Sequence, residues 1–417
     1  MNNLFDPRLP LSGTYALIAR NAGLLIGLQV LQRLLGLVTT YFVVRVLSQD
    51  GFGNYQFVLS VVGVVSIFGL PGINNAVMQS VARGHPGTYR ISVRPAVLSG
   101  LVGSVVLLGV GCWYYFLRGD ELSVSFLVAA LIFPLAYGLT QWKGLKTGLE
   151  DFVGVVRLDG VAAMATSLLI IGTVIYVSDD FAVLVAIILV VQAVLNVVAT
   201  TAAYRQVQRE ESVEKGSIRY GTVTTAYMVF GHVAIYVDKL LIYAFMTPAS
   251  LAIFVAAERF PELIRGAIKN LGSALAPRFA RHKYYTRRVA RAFTTFSIIS
   301  GAAIVAFAFT VLPWLLVFIF GEDYQESVPY AQVLMCSVAI ASSVPLRGRW
   351  IKSQQDAASF RDVNVLIAIC RIVASASLIP FFGIKGAVIS AVVARTAGVA
   401  IIHFVMKKRY PITGDNE

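Results

Sequence analysis

The sequence predicts an all-α integral membrane protein of about twelve transmembrane helices in two six-helix bundles, and three observations predict it. Hydrophobic residues make up 57% of the 417 residues and charged ones only 14%. A soluble domain carries about 25% charged residues, because a globule needs polar surface. The apolar residues fall into runs of about 20, the length that crosses a hydrocarbon core. The basic residues fall between those runs, on alternate sides.

Candidate spans run over 21–44, 55–78, 95–117, 124–142, 158–177 and 182–204, then over 221–246, 250–272, 292–319, 329–346, 362–382 and 386–405. Residues 205–220 form a charged cytoplasmic linker between bundles at 1–204 and 221–417. The first run carries Gln29, Gln32 and Arg33 at its middle. A cleaved signal segment would not tolerate that arginine, so the run is expected to stay as a first span.

Orientation follows from the connecting segments. Twenty-five Lys and Arg lie in segments that share a side with the N-terminus, from Arg8 to Arg409. Only Arg45, Arg118 and Lys385 lie on the other side. This bias places both termini in the cytoplasm. The formal charge of +13 therefore reflects membrane topology, and no nucleic-acid partner is expected. The opposite segments are short and acidic: Asp120–Glu121, Asp179–Asp180 and Glu322–Asp323.

The two halves show weak similarity, read as a parallel repeat. Phe52-Gly53-Asn54-Tyr55 and Leu251-Ala252-Ile253-Phe254 open the second and eighth helices, and Trp142 and Phe152 match Trp350 and Phe360. Gly69, Pro71 and Gly72 are expected to break helix two, with Pro134, Pro313 and Pro345 as further kink candidates. Cys112, Cys336 and Cys370, and the four histidines, lack metal or redox spacing. No cofactor is expected.

Charges sit where lipid forbids them. Arg33, Asp238, Lys239, Glu258, Arg259, Glu262, Arg371 and Arg395 lie near mid-span. Facing lipid, the eight would cost roughly 20–28 kcal/mol, more than a fold's net stability. They must face each other or a wet cavity. Helical spacing agrees: Gln29, Gln32 and Arg33 share a stripe, as do His232, Tyr236 and Lys239, then Glu258, Glu262 and Arg265, and also Asn364, Arg371 and Ser375. Two readings stand for the acids Asp238, Glu258 and Glu262: structural ion pairs or ion coupling, with Asp238 able to neutralise an arginine on a neighbouring helix. Arg33, Arg371 and Arg395 have no acid nearby in their own spans. Such a surplus suits a phosphate-bearing ligand, since guanidinium grips phosphate with two parallel hydrogen bonds. Lys239 and Arg259, each beside an acid, are secondary candidates.

Short motifs add a family resemblance. Arg45-Val46-Leu47-Ser48 with Phe52-Gly53-Asn54-Tyr55, then Tyr236-Val237-Asp238-Lys239-Leu240-Leu241-Ile242, then Phe320-Gly321-Glu322-Asp323-Tyr324 resemble, in order and spacing, the polysaccharide flippase branch of the multidrug/oligosaccharidyl-lipid/polysaccharide exporter superfamily. Within it the chain resembles Wzx-type O-antigen flippases. The second-half counterpart Leu251-Ala252-Ile253-Phe254 lacks the usual Gly-x-Tyr. The resemblance implies two bundles around a cationic cavity that pass an undecaprenyl-diphosphate-linked oligosaccharide across the cell inner membrane by alternating access. It also implies H+ or Na+ coupling and work beside other polysaccharide and lipopolysaccharide assembly proteins. A multidrug antiporter of the same superfamily is one rival, disfavoured by the arginines. A polytopic glycan polymerase is the other, disfavoured by the short external segments and the missing D-x-x-D motif.

Reporter fusions at Lys215 and at the C-terminus are expected to give cytoplasmic signal. Periplasmic signal at either position would overturn the twelve-span reading.

Overall fold

The computed structural model describes residues 11–118, 122–208, 211–281, 285–354 and 356–410. Arg8, Asp120–Glu121, Arg209, His282 and Lys283 lie outside the described residues. The described residues are helical almost throughout, and among them ten helices are long and apolar enough to cross a membrane. By contact it divides into two compact units: Met1–Phe42 with Val65–Met228, and Val43–Val64 with Val229–Glu417.

Several spans are broken where the sequence breaks them. The helix Gln49–Val65 tightens into a 3-10 turn at Ser66–Gly69. Leu70 then adopts a left-handed backbone with φ 53°, and Pro71 opens the helix Pro71–Ala82. Proline suits a first turn, where its missing N–H removes no bond. Pro313 and Pro345 hold the same place in Leu312–Phe320 and Val344–Ser353. Pro134 lies inside Leu122–Tyr137, and after a break the chain continues as Trp142–Gly148. The predicted fourth span therefore bends before Trp142 and runs on to Gly148.

The first unit is closed by the core around Trp142, which packs with Ile73, Val77, Tyr89 and Ala199. The Trp142 Nε1 donates to Asn196 Oδ1 at 2.8 Å, and Asn196 Nδ2 donates to the Ala136 carbonyl at 2.7 Å. Asn196, which the spacing puts on a polar stripe with Gln192, is thus a satisfied core residue. At one end of this unit, Arg90 donates to the Val207 and Tyr204 carbonyls at 2.7 Å each. Glu214 pairs with Arg83, and its backbone N–H donates to Thr88 Oγ1. The linker is tied to residues 83–90 rather than loose.

The second unit gathers the short motifs into one joint. Phe52 meets Phe320 and Tyr324 edge-on, at 6.4 and 6.3 Å between ring centroids. Arg45 donates to the Phe318 carbonyl at 3.1 Å, and Gln49 Nε2 to the Asp323 carbonyl at 2.6 Å. The Ala249 N–H donates to Asp50 Oδ1 at 3.0 Å, and the Tyr243 hydroxyl to Asn54 Oδ1 at 2.8 Å. Gly53 has no room for a side chain, since a Cβ there would overlap the Pro248 carbonyl. This explains the glycine between two residues that must both reach partners. In the helix Pro248–Arg281, residues 251–257 are buried on every side, as expected of a helix apolar all round.

The unbroken stretch Ala357–Arg409 is a hairpin of two helices. Gly383 interrupts it with φ 55° and ψ −130°, which only glycine adopts readily. Ser375 and Ser390 hydroxyls lie 3.2 Å apart, whereas 15 residues of straight helix would separate them by about 22 Å. A Cβ on Gly386 would meet the Leu378 carbonyl, and one on Gly398 would lie 3.2 Å from Ile367. All three pairs centre on Phe382–Gly383, so the arms run antiparallel in fixed register.

Gly53→Ala is expected to destabilise the protein by about 1–3 kcal/mol, because the clash is with backbone. Gly109, whose Cβ would meet nothing within 4 Å, is the control. A lower thermal midpoint in detergent for Gly53→Ala, with no loss for Gly109→Ala, is the expected result.

Candidate functional site

The predicted charges of the second half converge inside the second unit. Asp238 and Lys239 come from the helix Ser217–Phe245, and Glu258, Glu262 and Arg265 from Pro248–Arg281. Arg371 and Arg395 come one from each arm of the hairpin. The i, i+4 spacing of Glu258 and Glu262 turns both carboxylates to one face, and the hairpin register sets the arginines opposite.

Arg371 is held hardest. It is 9% exposed. Its Nη2 and Nε donate to Asp238 Oδ2 at 2.7 and 3.2 Å, and Nη2 also reaches Glu258 Oε1 at 3.2 Å. Ser375 Oγ donates to the other Asp238 oxygen and lies beside Ser390. Lys239 Nζ stands 3.5 Å from Glu258 Oε2. Asp238 and Glu258 are both buried, so this network satisfies two carboxylates that are cut off from water and that an apolar surround could not hold.

Arg395 is held differently. It is 8% exposed. Its Nη1 donates to Ser337 Oγ at 2.6 Å and to the Leu334 carbonyl at 3.2 Å. Its Nη2 lies 3.6 Å from Glu262 Oε1, while Arg265 Nη2 donates to Glu262 Oε2 at 2.6 Å. Glu262 thus stands between two guanidinium groups. In this network four cations, Lys239, Arg265, Arg371 and Arg395, meet three acids, Asp238, Glu258 and Glu262. The network keeps an excess of one positive charge.

The structure sorts the predicted residues. Arg371 carries no surplus charge, because the fold brings it two acids from neighbouring helices. Asp238 pairs with an arginine on a neighbouring helix, one of the two readings open to it. Glu258, Glu262, Lys239 and Arg395 join the same cluster. Arg259 lies near Tyr55, and Tyr236 packs against Gly63 and the His232 ring. Gln29 and Gln32 are exposed and Arg33 is half-buried, all in the first unit; Asn364 is exposed in the second. Periodicity pointed to Ser375, but not to Ser337 or Ser390, whose roles depend on which helices meet. No group of three or more His, Cys, Asp or Glu among the described residues could hold a metal ion.

Breaking this network from one side leaves a buried charge without its partner, which costs about 3–5 kcal/mol. Asp238→Ala and Arg371→Ala are each expected to lose that much in detergent unfolding. The double variant should lose clearly less than the sum. Additive losses would mean the pair is not coupled.

The profile of the polysaccharide biosynthesis protein family matches residues 18–283, well over half the chain. No curated protein matches in sequence. Among solved structures, the lipid II flippase MurJ in an inward closed conformation superposes with a TM-score of 0.69 at 13% identity, covering 93% of this chain and 88% of that one. An inward-facing multidrug resistance MATE family transporter of the MOP superfamily gives 0.63 at 11%, covering 90% and 94%. A MOP superfamily transporter from Pyrococcus furiosus, described as having a binding pocket of reverse polarity, gives 0.63 at 10%, covering 94% of each chain. The chain therefore belongs to the polysaccharide biosynthesis protein family and has the fold of the MOP superfamily transporters.

Proposed function

We propose that this protein is a flippase that carries a polyprenyl-diphosphate-linked oligosaccharide across the cell inner membrane by alternating access, for O-antigen or other surface polysaccharide synthesis. One observation carries this reading: the charged cluster of the second unit holds four cations to three acids. An uncompensated guanidinium in a low-dielectric site needs an anion, and a diphosphate supplies one with the right geometry. Membership of a polysaccharide biosynthesis family supports a glycan-bearing cargo. Transport rather than enzymatic turnover fits a fold shared with transporters.

The membrane arrangement belongs to the same proposal. The ten apolar helices include Arg361–Arg409, which the hairpin register makes two spans. The charged helix Pro248–Arg281 adds another, at about 51 Å of helix. That gives twelve, with both termini cytoplasmic and two bundles at 1–204 and 221–417 joined by the linker 205–220. The repeat between them is supported by Trp142 and Trp350, each fully buried in a short helix that follows a break. In the first bundle Arg33 is the proposed phosphate contact. In the second it is Arg395, with Lys239 and Arg259 as further cations, while Arg371 keeps the acids in place. Asp238, Glu258 and Glu262 are the groups through which H+ or Na+ coupling would act.

A multidrug antiporter shares this fold, and the MATE superposition keeps it as the second reading. The sign of the interior charge separates the two. In a flippase-null strain the chain is expected to restore surface polysaccharide. Arg395→Ala and Arg33→Ala should abolish the rescue at unchanged protein level, with lipid-linked intermediate accumulating, and the lysine variants should restore it in part because charge remains without the planar fork. Failure to rescue, together with lowered sensitivity to cationic drugs, would instead establish the antiporter.

A further inference from the structure

The most unusual group in the molecule is the Arg395 guanidinium. It is 8% exposed, yet Nε and Nη2 have no hydrogen-bond acceptor among the described residues. Those two nitrogens form the side-on edge that grips a carboxylate or phosphate with parallel hydrogen bonds. The remaining nitrogen, Nη1, is fixed by Ser337 and Leu334, so the edge is held in one direction rather than free to turn. Leaving buried donors unmade costs about 1–3 kcal/mol, more for a charged group. Stability alone gives no reason to hold them so.

The edge faces Glu262, whose Oε1 lies 3.6 Å from Nη2, beyond hydrogen-bond range. The other carboxylate oxygen is held by Arg265 at 2.6 Å. Unlike Arg395, Glu262 and Arg265 are partly open, with 35% and 42% of their side chains exposed. Arg371 and Arg265 both press on Arg395 electrostatically. Arg395 thus presents a buried, oriented donor edge with a partly exposed carboxylate at its mouth.

We propose that Arg395 and Arg265 form a diphosphate-binding site in which Glu262 is a built-in placeholder. With the site empty, the carboxylate sits between the two guanidinium groups and offsets their repulsion. An incoming diphosphate, with more charge and more oxygens, takes the Nε–Nη2 edge and displaces Glu262 toward the exposed side. The placeholder sets selectivity: a single weak carboxylate or an alcohol gains too little to displace it. This site rests on the anionic-lipid reading of function and names its residues.

The test uses the full-length protein in detergent, titrated with farnesyl diphosphate and with farnesol. The wild type should bind the diphosphate and not the alcohol. Glu262→Gln keeps the shape and removes the competing charge, so it should bind the diphosphate several-fold tighter. Arg395→Ala should bind roughly tenfold more weakly or worse, and Arg395→Lys should fall between. Thermal midpoints identify a variant that has lost its fold, and the Glu262→Gln gain cannot come from misfolding. Unchanged or weaker binding by Glu262→Gln, or undiminished binding by folded Arg395→Lys, would overturn the site. The rescue experiment stands apart. A chain that restores polysaccharide but shows no Glu262→Gln gain keeps its transport role and loses this site. A chain that shows the gain but restores nothing keeps the site and loses the oligosaccharide cargo.

Discussion

Two carboxylates, Asp238 and Glu258, are buried in a chain whose composition places it in a membrane. Leaving either carboxylate there without a cation in direct contact would cost about 3–5 kcal/mol, a large share of the margin by which most proteins are stable. Arg371 supplies that contact to both acids at once. Much of the second unit can be read as what is needed to bring it there. The helix Ser217–Phe245 must present Asp238, the helix Pro248–Arg281 must present Glu258, and the hairpin must carry Arg371 between them. Ser375 holds the second oxygen of Asp238, so the carboxylate has no latitude to rotate. The network consequently fixes which faces of three helices meet.

The same constraint distinguishes Arg371 from Arg395. Both are buried arginines on facing arms of one hairpin. Arg371 has its guanidinium closed by acids, whereas Arg395 has one nitrogen tied and a whole edge open. A fully satisfied buried network rigidifies the helices that share it, whereas an open edge is left at a cost. Placing the two side by side lets one support the geometry that the other needs, a division that fits the demand for a site held by rigid neighbours.

Much of this architecture is legible in the sequence, and the reasons are physical. The apolar runs report the long membrane-crossing helices directly, because that length rule is one-dimensional. The breaks at Leu70 and before Val344 follow from adjacent prolines and glycines. The glycine–aromatic motifs mark the joint around Phe52, although only the fold reveals that they pack on one another. The partners of Arg371 are not readable, because Asp238 and Glu258 lie 133 and 113 residues away and periodicity assigns a face without a neighbour. For the same reason Ser337 and Ser390 go unnoticed: small hydroxyl residues are common in apolar helices, and their meaning comes from the helix opposite. Asn196 shows the converse, a polar stripe residue that proves to hold a tryptophan.

The separation between these partners has a consequence for biogenesis. A ribosome adds about 5–20 residues per second. Asp238 and Glu258 are therefore made on the order of ten seconds before Arg371, with Lys239 alone beside Glu258 until then. During that interval their helices carry charge that bulk lipid does not accept. They must wait in the insertion machinery, or against earlier helices, until the last hairpin arrives. Its two arms are joined by the tight turn at Gly383, so they are suited to enter as a pair, delivering Arg371 and Arg395 together. The Asp238–Arg371 contact is thus among the last of the second unit's contacts to form, because it waits for the hairpin Ala357–Arg409.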